Sequence, residues 1–224
     1  MIDLKGNPFY LKDEQIAWGN RTWESLTLDE KVGQLFCPIG MSTDEKALFD
    51  LAANKKVGGL LFRPGKGEEM QQAHRYLQQQ AKVPMLIAAN LEAGGTGSAI
   101  GGTRSGTPML LAAGQDAEFG HHLGEVCAKE GSAVGVNWAF APVVDIDYNF
   151  HNPITNVRTY GSDPETVLNY AKGFVEAVQQ NGVAASIKHF PGDGIDFRDQ
   201  HLVTTVNTLP LEEWRSTYGK VYSG

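Results

Sequence analysis

The sequence predicts an α/β fold in which parallel β-strands alternate with α-helices. Two observations support this prediction: five short apolar runs are separated by longer amphipathic or polar stretches, and each run is continuous rather than alternating in polarity. Continuous apolar runs are typical of strands that are buried on both faces of a parallel sheet. Such strands are connected by right-handed helical crossovers. A (β/α)8 barrel and an open doubly wound sheet both satisfy this pattern.

The five apolar runs lie in chain order at 31–40, 57–64, 83–92, 136–147 and 183–190. After the first run, Ser42 and Glu45 have the spacing of a capping box that would begin a helix. The segment 67–82 is polar and helix-prone, and a long amphipathic stretch extends from Pro108 to about Gly131. The last helix before the fifth run has apolar residues at helical spacing, with Gly182 as its expected C-terminal cap. These residues are Val167, Tyr170, Ala171, Phe174 and Val178.

Polar side chains concentrate directly after the apolar runs. They are Arg63, Asn90–Glu92, Asp145–Asp147 and Lys188–His189. Both candidate folds place functional groups at the C-terminal ends of their strands, so the pattern predicts an active site there. The glycine-rich loop 92–106 lacks the lysine that a phosphate-binding P-loop carries after its last glycine. We therefore expect this loop to allow close backbone approach, and we expect no cofactor.

Composition excludes several classes of protein. The 224 residues are 42% hydrophobic and 20% charged, with a formal net charge of −7 and no basic block. This balance disfavours a nucleic-acid partner or an anionic membrane surface. No apolar run approaches the roughly 20 residues of a membrane span, and residues 1–15 lack a secretory signal pattern, so we expect a cytoplasmic protein. Cys37 and Cys127 stand far apart in apolar contexts and are expected to be buried free thiols.

The segment 188–201, KHFPGDGIDFRDQH, holds the densest group of titratable residues. In an extended segment, Asp199 and His201 share one side, so the carboxylate can reach one imidazole nitrogen and leave the other to transfer a proton. On spacing alone, such a pair in a loop is more often a surface hydrogen bond. Mixed metal ligation by His189, Asp193, Asp199 and His201 is a third interpretation.

Three further basic residues have two interpretations each. Lys188 and His189 end a buried strand, where they form either a satisfied polar rim or a pair of donors to a polyhydroxylated ligand. Arg158, in NPITNVRTYGSDP, either pins its own loop through a carboxylate or binds the same ligand.

Several segments together resemble the N-terminal catalytic domain of glycoside hydrolase family 3, in its β-N-acetylglucosaminidase branch. They are LTLDEKVGQLF (26–36), NLEAGG (90–95), FAPVVDID (140–147), NPITNVRTYGSDPE (152–165), and KHFPG (188–192) followed by the Asp199-x-His201 loop. The resemblance covers nearly the whole chain as one domain, 1–224. It implies a (β/α)8 TIM-type barrel, of which about the first five βα units are present.

The resemblance implies a role for each matching residue. His201 becomes the general acid/base and Asp199 its orienting partner. Arg158, Lys188 and His189 become ligands of the sugar in subsite −1. The implied partner is a carbohydrate, such as an amino-sugar oligosaccharide or wall fragment, from which terminal β-linked N-acetylglucosamine is removed with retention of configuration.

The sequence departs from the family pattern at two positions. Asn90, still expected to bind the sugar, stands where the family commonly has an aspartate, and a neutral amide is a weaker acceptor. Asp193 stands where this branch usually has a histidine, which favours a broader β-glucosidase as the alternative function. Glu92 and Asp145 are expected to support other side chains rather than to catalyse.

A retaining glycosidase also needs a carboxylate nucleophile. Five strands in about 190 residues fall short of the eight strands and roughly 250 residues of a complete barrel. We therefore expect the chain to be the N-terminal part of a longer enzyme, with its nucleophile elsewhere and with little activity when isolated. An inactive sugar-binding fragment is the non-enzymatic alternative.

Overall fold

A parallel sheet runs through the centre of the computed structural model, which describes residues 2–224. The strands are β1 (Ile39–Gly40), β2 (Gly59–Phe62), β3 (Gly65–Lys66), β4 (Leu86–Ala89), β5 (Ala99–Ile100), β6 (Trp138–Ala139) and β7 (Ala184–Ala185). In this part of the chain, the main sheet has five strands in the order β1-β2-β4-β6-β7, all parallel. Strands β3 and β5 pair separately, also in parallel.

The order of the main sheet decides between the two predicted architectures. Each strand pairs with the one that precedes it in this sheet, and the direction of progression never reverses across the five strands of residues 2–224. A doubly wound sheet reverses its strand order at a switch point, whereas a barrel adds its strands in sequence. The prediction of a (β/α)8-type fold with about five βα units is therefore confirmed.

Helices connect and flank these strands. They are α1 (Asp13–Ser25), α2 (Leu28–Gly33), α3 (Glu45–Phe49), α4 (Gly67–Gln80), α5 (Pro108–Ala113), α6 (Glu118–Ala133), α7 (Pro164–Gln180), α8 (Leu211–Ser216) and α9 (Tyr218–Ser223). The amphipathic stretch predicted from Pro108 forms two helices rather than one. The break follows from the backbone, since Gly114 caps α5 and Gln115 adopts a φ of +56° that no helix continues. Among residues 2–224, none of these helices combines the length and hydropathy needed to span a bilayer.

The apolar side chains of α7 are buried as predicted, and they pack on α6 at very short range. A Cβ atom on Gly120 would lie 2.3 Å from the carbonyl oxygen of Tyr170, and one on Gly124 would lie 2.6 Å from that of Phe174. The two helix backbones can touch only because both positions are glycine. The C-terminal cap of α7 is Asn181, one residue before the predicted Gly182. Gly182 follows it with a φ of +76° and ends the helix there.

Two local predictions are wrong. The first apolar run begins as a helix, because Thr27 and Glu30 form a capping box that starts α2, and only Ile39–Gly40 of the run is a strand. The N-terminal cap of α3 is Asp44 rather than the predicted Ser42. The Asp44 carboxylate accepts from the amides of Lys46 and Ala47 at 3.1 and 3.2 Å.

The cysteine prediction holds for one thiol only. Both cysteines are free, and Cys127 is buried as predicted. Cys37 is exposed, because it lies in the irregular segment between α2 and β1 rather than in the strand that was predicted there.

A buried carboxylate near the start of the fold gives a pH-dependent contribution to stability. The side chain of Glu30 accepts from the ammonium groups of Lys56 at 2.6 Å and Lys82 at 2.9 Å. These two hydrogen bonds, with that from the Thr27 amide, lower the pKa of Glu30 from 4.5 to about 2. A lowered carboxyl pKa stabilises the fold at pH values above the unfolded value, and the contribution disappears as pH falls towards the folded value.

We therefore expect Glu30→Gln to unfold at a lower urea concentration than the wild type at pH 7. The gap between the two midpoints should close as pH falls from about 5 towards 2, where the wild-type carboxylate also becomes neutral. Urea unfolding followed by circular dichroism across this range measures it, with Glu14→Gln on α1 as a control. A gap that stays constant with pH would contradict the assignment of the charge.

Candidate active site

A polar cavity of about 640 Å³ opens where several strands of the main sheet end. Arg63 follows β2 directly, Asn90 follows β4 directly, and Lys188 and His189 come shortly after β7. Parallel strands end at the same edge of a sheet, so these positions converge although they are distant in sequence. The cavity is lined by Arg63, Asn90, Glu92, Ala93, Thr96, Gly97, Arg104, Arg158, Lys188, His189 and His201.

Glu92 organises the inner wall of the cavity. One of its carboxylate oxygens accepts from Arg158 Nε at 2.8 Å, and the other accepts from Arg158 Nη2 at 2.9 Å and from Lys188 Nζ at 2.5 Å. The bidentate pairing fixes the plane of the Arg158 guanidinium. Lys188 also donates to Asn90 Oδ1 at 3.2 Å, which connects the ends of β4 and β7.

Burial and charge act in opposite directions on this group of residues. Burial raises the pKa of Glu92, but the hydrogen bonds from Arg158 and the charge of Lys188 outweigh it, so that its pKa lies below the ordinary value. The pKa of Lys188 is lowered by burial, with the charge of Glu92 offsetting part of this effect. Hydrogen bonding to Glu92 raises the pKa of Arg158. Glu92 is thus ionised at neutral pH, and it holds Arg158 and Lys188 in place on the cavity wall.

His189 is oriented by a carboxylate behind the wall. Its Nδ1 lies 2.5 Å from Oδ2 of Asp145, which is fully buried, and its Nε2 lies 3.4 Å from Arg158 Nη2. Since the arginine can only donate, this arrangement assigns the imidazole proton to Nδ1, with Nε2 as an acceptor. Asp145 Oδ1 also accepts from the backbone amides of His189 and Asp193. Asp145 is therefore a support, as predicted for it and for Glu92.

A second buried contact joins the loop that carries Arg158 to the loop after β7. Asn152 Nδ2 donates to Asp193 Oδ1 at 2.7 Å, and Asn152 Oδ1 accepts from the amides of Ile154 and Thr155. The Asp193 carboxylate thus stabilises the loop that carries Arg158. The other oxygen, Oδ2, is buried and has no hydrogen-bond partner among residues 2–224.

His201 lies at the mouth of the same cavity, with its side chain 69% exposed. Its Nδ1 is 2.8 Å from Asp199 Oδ1, the contact that the Asp-x-His spacing predicts. The backbone here is a turn rather than an extended segment, because the amides of Leu202 and Val203 both donate to the carbonyl of Asp199. Hydrogen bonds from the His201 amide and imidazole lower the pKa of Asp199. The pair therefore keeps Nδ1 occupied and leaves Nε2 free to exchange a proton.

All six residues that the sequence singles out for the site lie in or beside this cavity. Asn90, Arg158, Lys188, His189 and His201 line it, and Asp199 contacts His201 from behind. Their catalytic and binding roles remain predictions. Within residues 2–224, no three side chains of His, Cys, Asp or Glu come together as a metal site would require. Sequence reasoning missed Arg104 and Thr96, which enter the cavity from the glycine-rich loop. Arg104 is the single basic residue of the segment 92–106, and its spacing carried no signal of a place in the site.

The fold and the cavity together define a protein of the barrel-type α/β class, with a polar site at the C-terminal ends of its strands. Residues 27–224 match the glycosyl hydrolase family 3 N-terminal domain. The chain belongs to this family, which confirms the resemblance read from its motifs.

Similar proteins span a range of named activities. A β-N-acetylglucosaminidase/β-glucosidase of Cellulomonas fimi is 46% identical over 222 residues, which are 99% of this chain and 39% of that protein. The structure of a β-glucoside phosphorylase bound to 2FGlc is 48% identical with a TM-score of 0.93, covering 98% of this chain and 40% of the other. A family 3 β-N-acetylglucosaminidase structure from Paenibacillus is 32% identical with a TM-score of 0.70, covering 79% and 35%. The chain thus spans about two fifths of the length of these relatives.

Proposed function

We propose that this chain binds the sugar and supplies the acid/base of a retaining family 3 glycosidase that releases terminal β-linked N-acetylglucosamine. The observation that carries the proposal is the position of the Asp199–His201 pair on the same cavity as Arg158, Lys188 and Asn90. The inner residues offer donors at fixed positions for sugar hydroxyls. In this proposal His201, which lines the cavity and is largely exposed, serves the leaving group.

In this mechanism a carboxylate attacks the anomeric carbon while the bond to the leaving oxygen breaks, and His201 Nε2 gives its proton to that oxygen. In the second step an acceptor attacks the anomeric carbon, neutral His201 takes the acceptor's proton, and the enzyme carboxylate leaves. Glu92 is the sole carboxylate on the cavity wall formed by residues 2–224, and it is held by two cations. The proposal therefore takes its nucleophile from outside these 224 residues.

A wider specificity is the second candidate. The relatives of 46% and 48% identity carry names that include β-glucosidase and β-glucoside phosphorylase. Asp193 supports the same candidate, because the resemblance implies a histidine at this position in the β-N-acetylglucosaminidase branch. We infer that the same site also accepts β-glucosides, and that phosphate as well as water serves as the acceptor. A neutral histidine repels an incoming phosphate less than a carboxylate base would.

The test uses the full-length protein that carries this chain, with 4-nitrophenyl β-N-acetylglucosaminide and the matching β-glucoside. We expect both to be cleaved, with the β-anomer formed first in proton NMR because two displacements at one carbon retain configuration. Added phosphate should yield a sugar 1-phosphate. The 224 residues alone should release little or no nitrophenol. First formation of the α-anomer, or robust turnover by the 224 residues alone, would contradict the mechanism.

A further inference from the structure

The basic residues of the candidate active site fall into two groups. Each inner base is paired with a carboxylate: Arg158 and Lys188 share Glu92, and His189 pairs with Asp145. At the mouth, His201 pairs with Asp199. The other group consists of Arg63 and Arg104, whose side chains line the same cavity without an ion pair or side-chain hydrogen bond to any residue of the range 2–224.

The backbone around both arginines is fixed, although their side chains are exposed. Arg104 forms a β-bridge with Gly94, and the amides next to it donate to Glu130 Oε2 at 2.7 Å and to the carbonyl of Ala93 at 2.9 Å. A Cβ atom at Gly94 would lie 2.1 Å from the carbonyl of Thr103, so the loop is closed tightly on itself. Arg63 stands between β2 and β3. The backbone position from which each arginine side chain extends is therefore well defined.

Two guanidinium groups without an ion-pair partner in residues 2–224 line one cavity, and they attract negative charge to it. Binding of a neutral sugar does not require these two charges. The donors on the inner wall, which are paired with carboxylates, can already bind the sugar hydroxyls. The fork of donors on a guanidinium matches the oxygens of a phosphate or a carboxylate.

We propose that Arg63 and Arg104 form an anion subsite of the cavity, which takes a phosphate or carboxylate group. This proposal rests on the proposed function, since the anion would be either the inorganic phosphate that accepts the sugar or an anionic group on the leaving part of the glycoside. Both sources present the same oxyanion to the two arginines. They differ in whether the anion is free or is attached to the substrate.

The first arm of the test measures binding of inorganic phosphate by titration calorimetry at constant ionic strength in the full-length protein. Arg63→Gln and Arg104→Gln should each weaken binding about 10-fold, as expected for the loss of one charge-assisted contact. Arg21→Gln, which removes an exposed charge from α1, should leave the affinity unchanged. The exposed positions of all three arginines allow the substitutions without loss of packing.

The second arm compares kcat/KM for two aryl β-N-acetylglucosaminides, one with a neutral and one with a carboxylated aryl group. If the anion belongs to the leaving group, the two variants should lose about 10-fold on the carboxylated substrate and little on the neutral one. If the variants weaken phosphate binding but cleave both substrates as the wild type does, the anion is the inorganic phosphate that accepts the sugar. Unchanged values for the double variant in both arms would overturn the anion subsite.

The two proposals fail in different ways. If the neutral glycoside is cleaved but neither arm responds to the arginine variants, the anion subsite is wrong and the glycosidase proposal stands. If no glycoside is cleaved, the calorimetric arm alone decides. Loss of phosphate affinity in the variants then supports the anion subsite without the proposed reaction.

Discussion

Replacing Glu92 with glutamine is expected to lower the free energy of unfolding by about 3 kcal/mol, near the lower end of the range for breaking a buried ion pair. The side chains of Glu92 and Lys188 are only 15% and 18% exposed, so the variant leaves buried positive charge without compensation. Arg158 keeps 31% exposure and can still be solvated in part, which limits the loss. The same change releases the guanidinium and the ammonium from their fixed positions on the cavity wall.

Urea unfolding of the wild type and Glu92→Gln measures this effect. Because hydrogen bonds from Arg158 and the charge of Lys188 outweigh burial and lower the Glu92 pKa, the difference should be complete at neutral pH and should shrink as pH falls below the ordinary carboxyl range. The matched control is Glu125→Gln, which removes an exposed helix pair with Lys129 at 3.5 Å and should cost about 0.5 kcal/mol or less. Equal effects of the two substitutions would show that Glu92 has no special structural role.

Replacing His201 with glycine in the full-length protein should cost about 10²–10⁴-fold in kcat/KM when the leaving group is poor. An alkoxide or sugar needs a proton to depart, whereas an activated aryl group leaves with little protonation. The loss should therefore be much smaller for 4-nitrophenyl glycosides than for alkyl glycosides. Asp199→Ala should resemble a milder His201→Gly, because it removes the 2.8 Å contact to Nδ1 but leaves the imidazole in place.

The measurement is the dependence of log kcat/KM on the pKa of the leaving group for wild type and both variants. A steeper dependence in His201→Gly, with a shifted or absent basic limb in the pH profile, identifies the proton donor. His122→Ala is a matched control, since His122 also lies near a carboxylate, Glu118 at 4.0 Å, but on the exposed surface of α6. Identical slopes in wild type and His201→Gly would remove His201 from the mechanism.

The sequence predicts the placement of the inner site well because that placement follows from strand geometry. Asn90 and Lys188 come after β4 and β7, and parallel strands carry whatever follows them to one edge of the sheet. The Asp199–His201 contact is equally local, since a single residue separates the partners. The strand prediction for the first apolar run is wrong for a local reason too. The Thr27–Glu30 capping box starts a helix and outweighs the strand-like composition that follows it.

Arg104 illustrates the part of the site that sequence reasoning could not place. Its loop contains six glycines between residues 94 and 106, and many backbone paths are open to such a segment. The path that it takes depends on contacts with other elements, such as the 2.7 Å bond from the Thr103 amide to Glu130 on α6. No periodicity or spacing in the sequence records that contact.

The alternation of strands and helices, the family, and the polar groups that follow the strands can all be recognised in the sequence. The strand order and the pairing of the basic residues with their carboxylates appear only in the folded protein. Arg158 and Glu92 are 66 residues apart, and His189 and Asp145 are 44 apart, so their pairing depends on how the βα units are placed side by side. Local sequence fixes backbone conformation over a few residues, whereas these contacts exist only after the sheet has assembled its edge.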